Sequence, residues 1–275
     1  MLDPIAWDPI ALLRDARSER PSGLDTPTGK DGFALIVLNQ SVTPYVGILE
    51  VLWKNACVRI AADGGANCLY EVGGKLRNRN FDNLDVIIGD LDSLGEPTRL
   101  YYTYLKKLPT TSTRIIRVED QNSTDFGKAV EHVRRKHGVP IDIVAVGGLG
   151  GRVDQGLSQL HHLYLFQTHP RYAEGRMYLF SGESLTFLLK AGSHRIRVRR
   201  DDGRPDVFDK WVGIVPVKEP SRITTRGLEW DVTDWETAFG GQISTSNHVL
   251  PETEVVHVDT TKDVLFTIAL KQIPT

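Results

Sequence analysis

The sequence predicts an α/β chain in two parts: an N-terminal doubly wound, mostly parallel sheet domain over residues 33–171, then an all-β sandwich domain over residues 172–275, with residues 1–32 as an N-terminal arm. Three observations carry that reading. In the first part, short apolar runs alternate with amphipathic stretches of helical length. In the second, strand-length runs follow one another with no helical period between them. Residues 18–32, SERPSGLDTPTGKDG, are dense in Ser, Pro, Gly and charge, which sets the arm apart from the first core strand.

Within the arm, AWDPIALL has the pattern of a docked helix. The runs FALIVLN (33–39), ACVRIAAD (56–63), LDVIIGD (84–90), TRIIRVED (113–120) and IDIVAVGG (141–148) are each bounded by polar or Gly-rich residues and read as strands. DFGKAVEHVRRKHG (125–138) sets Phe126, Ala129, Val130 and Val133 at helical spacing, and Gly138 ends the pattern. Strands that alternate with helices imply a parallel sheet covered on both faces. From about residue 172 the texture changes to RMYLFSG, LTFLLK, HRIRVRR, WVGIVPV, GLEWDV, GQISTSN, EVVHVD and VLFTIAL, the succession expected of an antiparallel sandwich or barrel.

Bulk properties exclude several function classes. The chain has 275 residues, 40% hydrophobic and 25% charged, and is long enough to bury a sizeable core. A net charge of -2 supplies no general field for nucleic acid or an anionic membrane. HRIRVRR puts Arg195, Arg197 and Arg199 on one strand face, but Asp201, Asp202 and Asp206 follow, so a solvated face is expected. Cys57 and Cys68 have neither CxxC spacing nor a His cluster, which argues against a disulfide framework or a zinc site and for a cytoplasmic protein. The first residues, with Asp3 and Asp8, lack a basic n-region, and no apolar run approaches the about 18 residues of a membrane span.

In an open α/β sheet, ligands sit beyond the carboxyl ends of the strands. There the chain reads ADGGAN, GDLDS, EDQNSTD and GGLGGRVDQ, so Asp63, Asp90, Asp92, Asp125 and Asp154 are expected to converge on one rim. Carboxylates that close repel strongly unless a cation sits among them. Oxygen ligands without His or Cys select Mg²⁺, whose shell is commonly completed by substrate phosphates. Gly64, Gly65, Gly147, Gly148, Gly150 and Gly151 let backbone approach a phosphate, and Arg152 adds a fork for its oxygens. Neither GxxxxGK[ST] nor GxGxxG occurs, so the common phosphate cradles are excluded.

Each of these features has an ordinary alternative. Asp125, beside Ser123 and Thr124, suits a helix cap; Asp63 before Gly-Gly suits a turn. Trp230 in an alternating strand suits a sandwich core. Lys128, one helical turn after Asp125, suits an intrahelical ion pair as well as a phosphate contact. His161 and His162 have no partner at ligand spacing and are expected to pack or to face solvent. Joint occurrence at successive strand ends favours a site.

ADGGAN, IIGDLDS, DQNSTDFGKA and GGLGGRVDQ, with GLEW (227–230) and STSN (244–247), resemble in order and spacing the motifs of the thiamine pyrophosphokinases, eukaryotic members included. The resemblance spans most of the chain and implies pyrophosphoryl transfer from ATP to thiamine, with Mg²⁺, giving AMP and thiamine diphosphate. It implies a homodimer whose sites lie between the α/β domain of one subunit and the β-sandwich of the other. It assigns Asp63, Asp90, Asp92, Asp125 and Asp154 to metal, and nucleotide contacts to Gly64, Gly65, Asn67, Ser93, Thr124, Lys128, Gly148, Gly151 and Arg152. Gln121, Trp230, Ser244, Ser246 and Asn247 fall in its thiamine-contact motifs. Asp92, Asp125 and Arg152 are the catalytic candidates, and which carboxylate takes the hydroxyl proton stays open. Bacterial relatives often have His where this chain has Gln155, which argues against an essential imidazole there. Another Mg²⁺-dependent phosphotransferase or phosphohydrolase and a non-catalytic nucleotide-binding regulator are the alternatives.

Overall fold

Phe33–Val37 is buried at every position, as a strand with both faces covered must be, and it is the axis of the α/β unit. The computed structural model describes residues 3–14, 32–75, 81–105, 113–137, 140–200 and 203–271. Residues 15–31 of the arm, Gly138, Asp201 and Asp202 lie outside this set. The chain forms two compact units: Thr28–Phe166 with Glu174–Gly182, and Met1–Pro27 with Gln167–Ala173 and Glu183–Thr275.

The chain opens with β1 (Ile5–Trp7) and a 3-10 turn (Pro9–Leu13). The α/β unit then runs β2 (Phe33–Val37), α1 (Val46–Asn55), β3 (Val58–Ala62), α2 (Gly65–Lys75), β4 (Val86–Gly89), α3 (Glu96–Leu105), β5 (Arg114–Arg117), α4 (Asp125–His137), β6 (Asp142–Val146), α5 (Val153–Phe166) and β7 (Met177–Phe180). Its strands pair parallel in the order β7-β6-β2-β3-β4-β5. The chain therefore steps outward from β2 to β5 and returns to β6 on the other side. The ends of β2 and β6 flank the point where the strand order reverses, where crevices open in such sheets. Phe126, Ala129, Val130 and Val133 of α4 are buried, as their spacing predicts, and α4 packs on β2, β3 and β4.

The second unit holds β8 (Ser184–Leu189), β9 (Gly192–Arg197), β10 (Phe208–Val215), β11 (Ser221–Arg226), β12 (Trp235–Thr237), β13 (Ser244–His248), β14 (Val255–Thr260) and β15 (Val264–Leu270). One sheet has the order β1-β9-β14-β11-β12; β13, β10, β15 and β8 pair antiparallel in that order in the other. Phe187 of β8 and Phe266 of β15, with ring centroids 5.3 Å apart, belong to the core between the sheets.

Two elements differ from expectation. The arm contributes a strand ahead of a shorter helix than expected: only Pro9–Leu13 of AWDPIALL turn, as a 3-10 helix, while β1 pairs parallel with β9, Ile5 opposite His194 and Trp7 opposite Ile196. Trp7 explains the choice. Its indole is 2% exposed, stacks on Phe187 at 4.5 Å, and donates to His194 Nδ1 at 3.0 Å, so the arm completes the sandwich core. The run RMYLFSG, expected to open the all-β part, supplies β7, which pairs parallel with β6 in the α/β unit. All four residues of β7 are buried, the pattern of a parallel strand rather than of a half-exposed sandwich strand. Arg195 faces solvent as expected, while Arg199 pairs with Asp206 at 3.2 Å.

Candidate active site

Asp63 follows β3 directly and has φ 42°, a left-handed conformation that Asp adopts more readily than most residues. The turn continues through Gly64 and Gly65, where a Cβ would lie 2.3 Å from Asn39 Nδ2 and 2.2 Å from the Val37 carbonyl oxygen, so a side chain at Gly65 would meet backbone and one at Gly64 would displace the Asn39 amide. This turn folds the Asp63 carboxylate inward, leaving the residue 2% exposed. The Ser93 N–H donates to Oδ2 at 3.1 Å, and Oδ1 is buried without a hydrogen-bond partner among the described residues.

After β4, the chain turns through Leu91, also at positive φ (67°), and presents Asp90 and Asp92 on the same side. The Asp92 N–H donates to Asp90 Oδ1 at 3.1 Å, and the Ser93 hydroxyl to Asp92 Oδ1 at 2.9 Å. Carboxylate oxygens of Asp63, Asp90 and Asp92 lie within 4.8 Å of one another. Asp125 Oδ1 accepts from the Asp90 N–H at 3.3 Å and from Lys128 Nζ at 3.1 Å, which fastens α4 to the same rim. Gln121 Nε2 reaches Asp90 Oδ2 at 3.4 Å. Asn67 serves the loop with both ends of its amide, donating to the Ser93 carbonyl at 2.7 Å and accepting from the Gly95 N–H at 3.0 Å.

The electrostatics record the crowding. Burial pushes the Asp63 carboxyl up to about 6; the Ser93 N–H opposes the shift, and the charges of Asp125, Asp92 and Asp90 add to it. Asp90 is held below the ordinary carboxylate range, chiefly by the Asp92 N–H and further by Gln121 and Lys128. An oxygen-only cluster with one buried carboxylate oxygen left unpaired fits a hard divalent cation.

The fifth expected carboxylate does not join them. Asp154 lies in the first turn of α5, and Arg152 donates to it from Nε at 3.1 Å and Nη2 at 2.6 Å in an exposed pair that holds its carboxyl low. The spacing of GGRVDQ leads the carboxylate back onto its own arginine. Between β6 and α5, Gly147, Gly150 and Gly151 take φ of 77°, 126° and 64°, and a Cβ on Gly148 would lie 2.6 Å from Leu38 Cδ1. Gln40, which no motif signalled, donates from Nε2 to the Gly150 carbonyl at 2.5 Å and ties this loop to the end of β2.

The ordinary alternatives divide. Thr124, not Asp125, caps α4: its Oγ1 accepts from the Gly127 N–H at 3.0 Å. The Asp125 carboxylate is thereby left for the rim. His162 lies 2.7 Å from that hydroxyl through Nε2, and its Nδ1 faces the Ser158 carbonyl at 2.5 Å. Since a carbonyl only accepts, Nδ1 carries the proton and Thr124 donates to Nε2. His162 is thus a packing residue, as expected, lying between Phe126 and Phe166, and His161 is exposed. Lys128, with a side chain 3% exposed, makes the intrahelical pair with Asp125.

In the β-unit, Trp230 is 56% exposed, too open for a core residue. With Ser244 and Asn247 it lines a pocket of about 170 Å³ that Thr225, Val232, Trp235, Ile243 and Thr245 complete. Thr225 of β11 and Trp235 of β12 went unmarked in the sequence because they reach the pocket through sheet pairing, which no local spacing encodes. Asn247 binds the Trp230 backbone twice, accepting from its N–H at 3.2 Å and donating to its carbonyl at 2.9 Å. Ser246, at φ 55°, is exposed and does not line the pocket; Gln121 stands on the acidic rim instead.

Family models match both units in turn: "Thiamin pyrophosphokinase, catalytic domain" over residues 49–173 and "Thiamin pyrophosphokinase, vitamin B1 binding domain" over residues 193–265. Thiamine pyrophosphokinase 1 of Arabidopsis thaliana is 35% identical over 262 residues, 90% of each chain. The chain belongs to the thiamine pyrophosphokinase family. Thiamine pyrophosphokinase of Saccharomyces cerevisiae is 27% identical, covering 89% of this chain and 87% of its own. Among solved structures, yeast thiamin pyrophosphokinase superposes with a TM-score of 0.77 at 25% identity, over 97% of this chain and 91% of that one. The Bacillus subtilis structure, at 17% identity and TM-score 0.65, shares the fold of this thiamine pyrophosphokinase family member over 88% of the chain. No helix among the described residues is long and apolar enough to cross a membrane.

Proposed function

We propose that this chain transfers the pyrophosphoryl group of ATP to the hydroxyl of thiamine, giving thiamine diphosphate and AMP. The observation that carries the reading is the union, in one chain of this family, of an oxygen-only acidic rim and a separate pocket walled by exposed indole. Asp63, Asp90 and Asp92 would hold Mg²⁺, with Asp125 beside them; the buried, unpaired Asp63 Oδ1 supports this fit. Bound there, Mg²⁺ neutralises triphosphate charge.

The protein's own groups supply the rest. The Gly147–Gly151 loop and Arg152 bind phosphate oxygens, for which Arg152 exchanges its exposed bond to Asp154. Asp154 acts through that arginine. Gly64, Gly65, Asn67, Ser93, Thr124, Lys128, Gly148 and Gly151 border the nucleotide. Thiamine lies on Trp230 beside Ser244 and Asn247, with Gln121 at the acidic end. Its hydroxyl oxygen bonds to the β-phosphorus while the bond from that phosphorus to the α–β bridging oxygen breaks. AMP departs with that oxygen, and Asp92 or Asp125 accepts the hydroxyl proton.

The enzyme acts as a cytoplasmic homodimer in which one subunit's rim faces the other's Trp230 pocket. Incubation with ATP, MgCl₂ and thiamine should yield AMP and thiamine diphosphate in equal amounts, and EDTA should stop the reaction. ADP with thiamine monophosphate as the product pair would overturn the reading.

A further inference from the structure

Asn247 fixes the backbone of Trp230, yet a more than half exposed indole needs a second constraint if its face is to stay in one attitude. His248, the next residue of β13, stands opposite Trp211 of β10. Its imidazole is wedged between two indoles, 4.3 Å from the Trp211 centroid in a T-shaped contact and 4.9 Å from the Trp230 centroid at an interplanar angle of 47°. Nδ1 is paired with the Glu229 carboxylate, and the Glu229 N–H donates to the His248 carbonyl at 2.8 Å. The other ring nitrogen, Nε2, is buried without a partner among the described residues, so Glu229 and the two indoles set the ring's orientation.

We infer that His248, oriented by Glu229, holds the Trp230 indole in its stacking attitude before a flat, cationic heteroaromatic ligand arrives. His248 is therefore a positioning residue that sets affinity for that ligand through Trp230. The inference rests on the reading of this pocket as the thiamine site. A ring already held need not be ordered on binding, and stacking on an indole face depends on the angle at which it is met.

The test compares His248→Ala, His248→Phe and Glu229→Gln. In His248→Ala, KM for thiamine should rise about three- to tenfold, the factor that matches ordering one freed side chain, while KM for ATP and kcat stay within about twofold. His248→Phe keeps a ring between the two indoles and should recover most of the affinity; Glu229→Gln should fall between. Should the alanine variant not fold, the other two carry the comparison. A KM for thiamine unchanged in Glu229→Gln and His248→Ala, a phenylalanine variant as weak as alanine, or a parallel rise in KM for ATP would overturn the inference. A substrate-free measurement separates it from the functional reading. In protein labelled with 5-fluorotryptophan, the Trp230 fluorine resonance, assigned with Trp230→Phe, should move in His248→Ala toward that of a solvent-exposed indole. If it stays put, the inference fails even where thiamine is the substrate; if it moves in a protein that does not use thiamine, only the functional reading falls.

Discussion

A Cβ on Gly89 would stand 2.7 Å from the Asp63 Cβ, and 2.9 Å from Asp125 Oδ1. The last residue of β4 is therefore the floor on which the end of β3 and the start of α4 bring their carboxylates together. Gly89→Ala should force them apart. An ångström of displacement at a reacting centre lowers rates by about 100-fold, and the overpacking should cost about 1–3 kcal/mol of stability. Turnover at saturating Mg²⁺ together with a melting curve checks both, and near-normal turnover in the variant would show that the floor tolerates a methyl group.

Asp63 gives the metal-free protein a defined pH dependence. Its folded pKa of about 6 exceeds the ordinary 3.8, so between those values the folded chain binds a proton that the unfolded chain does not. Its contribution therefore favours folding increasingly as pH falls from about 6 to about 4, and is constant outside that window. Asp63→Asn removes the charge while keeping a residue that tolerates positive φ. In EDTA the variant should be more stable than the parent above pH 6, by on the order of 1–2 kcal/mol after allowance for the open rim. The gap should close towards pH 4. Parallel melting profiles across pH 4–8 would sink this account.

The site was legible in sequence where its determinants are local. LDVIIGDLDS announces a buried strand that ends in carboxylates, and Asp63-Gly-Gly announces a turn, because apolar runs and glycines act over a few residues. What was not legible depends on distant partners. Ile5–Trp7 becomes a strand only because β9 lies ready to pair with it and Phe187 to stack on Trp7. Asp154 sits at a matching strand end, yet adjacency along the chain does not say that Arg152 claims it. The Asn247 amide closes on Trp230 across 17 residues, and His248 enters through the register of β13 with β10.

Asn247→Ala tests how far the Trp230 pocket depends on backbone rather than on ring contacts. The substitution strips both the N–H and the carbonyl of Trp230 of a partner, and each group is part-buried. Stability should fall by about 1–3 kcal/mol. KM for thiamine should rise more than about tenfold because the indole loses its anchor, while KM for ATP holds. Equal losses for both substrates would assign Asn247 to general folding.

The carboxylates should separate into two classes under isosteric change. Asp90→Asn and Asp92→Asn should each remove most activity, leave melting unchanged or raised, and shift the Mg²⁺ requirement upward, since both belong to the 4.8 Å cluster. Asp154→Asn should keep the Mg²⁺ dependence and alter KM for ATP, since its partner is Arg152. Magnesium titrations at fixed ATP distinguish the two. An Asp154→Asn enzyme rescued by excess Mg²⁺ would return that residue to the metal.

A shared site makes a stronger demand than any single variant. If the rim of one subunit works with the Trp230 pocket of the other, Trp230→Ala and Asp90→Asn inactivate opposite halves of the same site. Trp230→Ala alone should weaken thiamine about tenfold or more, since a desolvated cation–π contact contributes about 0.5–2 kcal/mol and the lost apolar area adds to it. In a heterodimer of the two variants, one site combines both lesions and the other combines an intact rim with an intact pocket. Mixing the two proteins, assayed at thiamine well below the KM of Trp230→Ala, should therefore restore activity, up to half that of the parent per heterodimer. Subunit exchange is verified by carrying different affinity tags on the two chains and purifying through both. Doubly tagged heterodimers that remain as inactive as their parents would eliminate the shared site and confine each reaction to one chain.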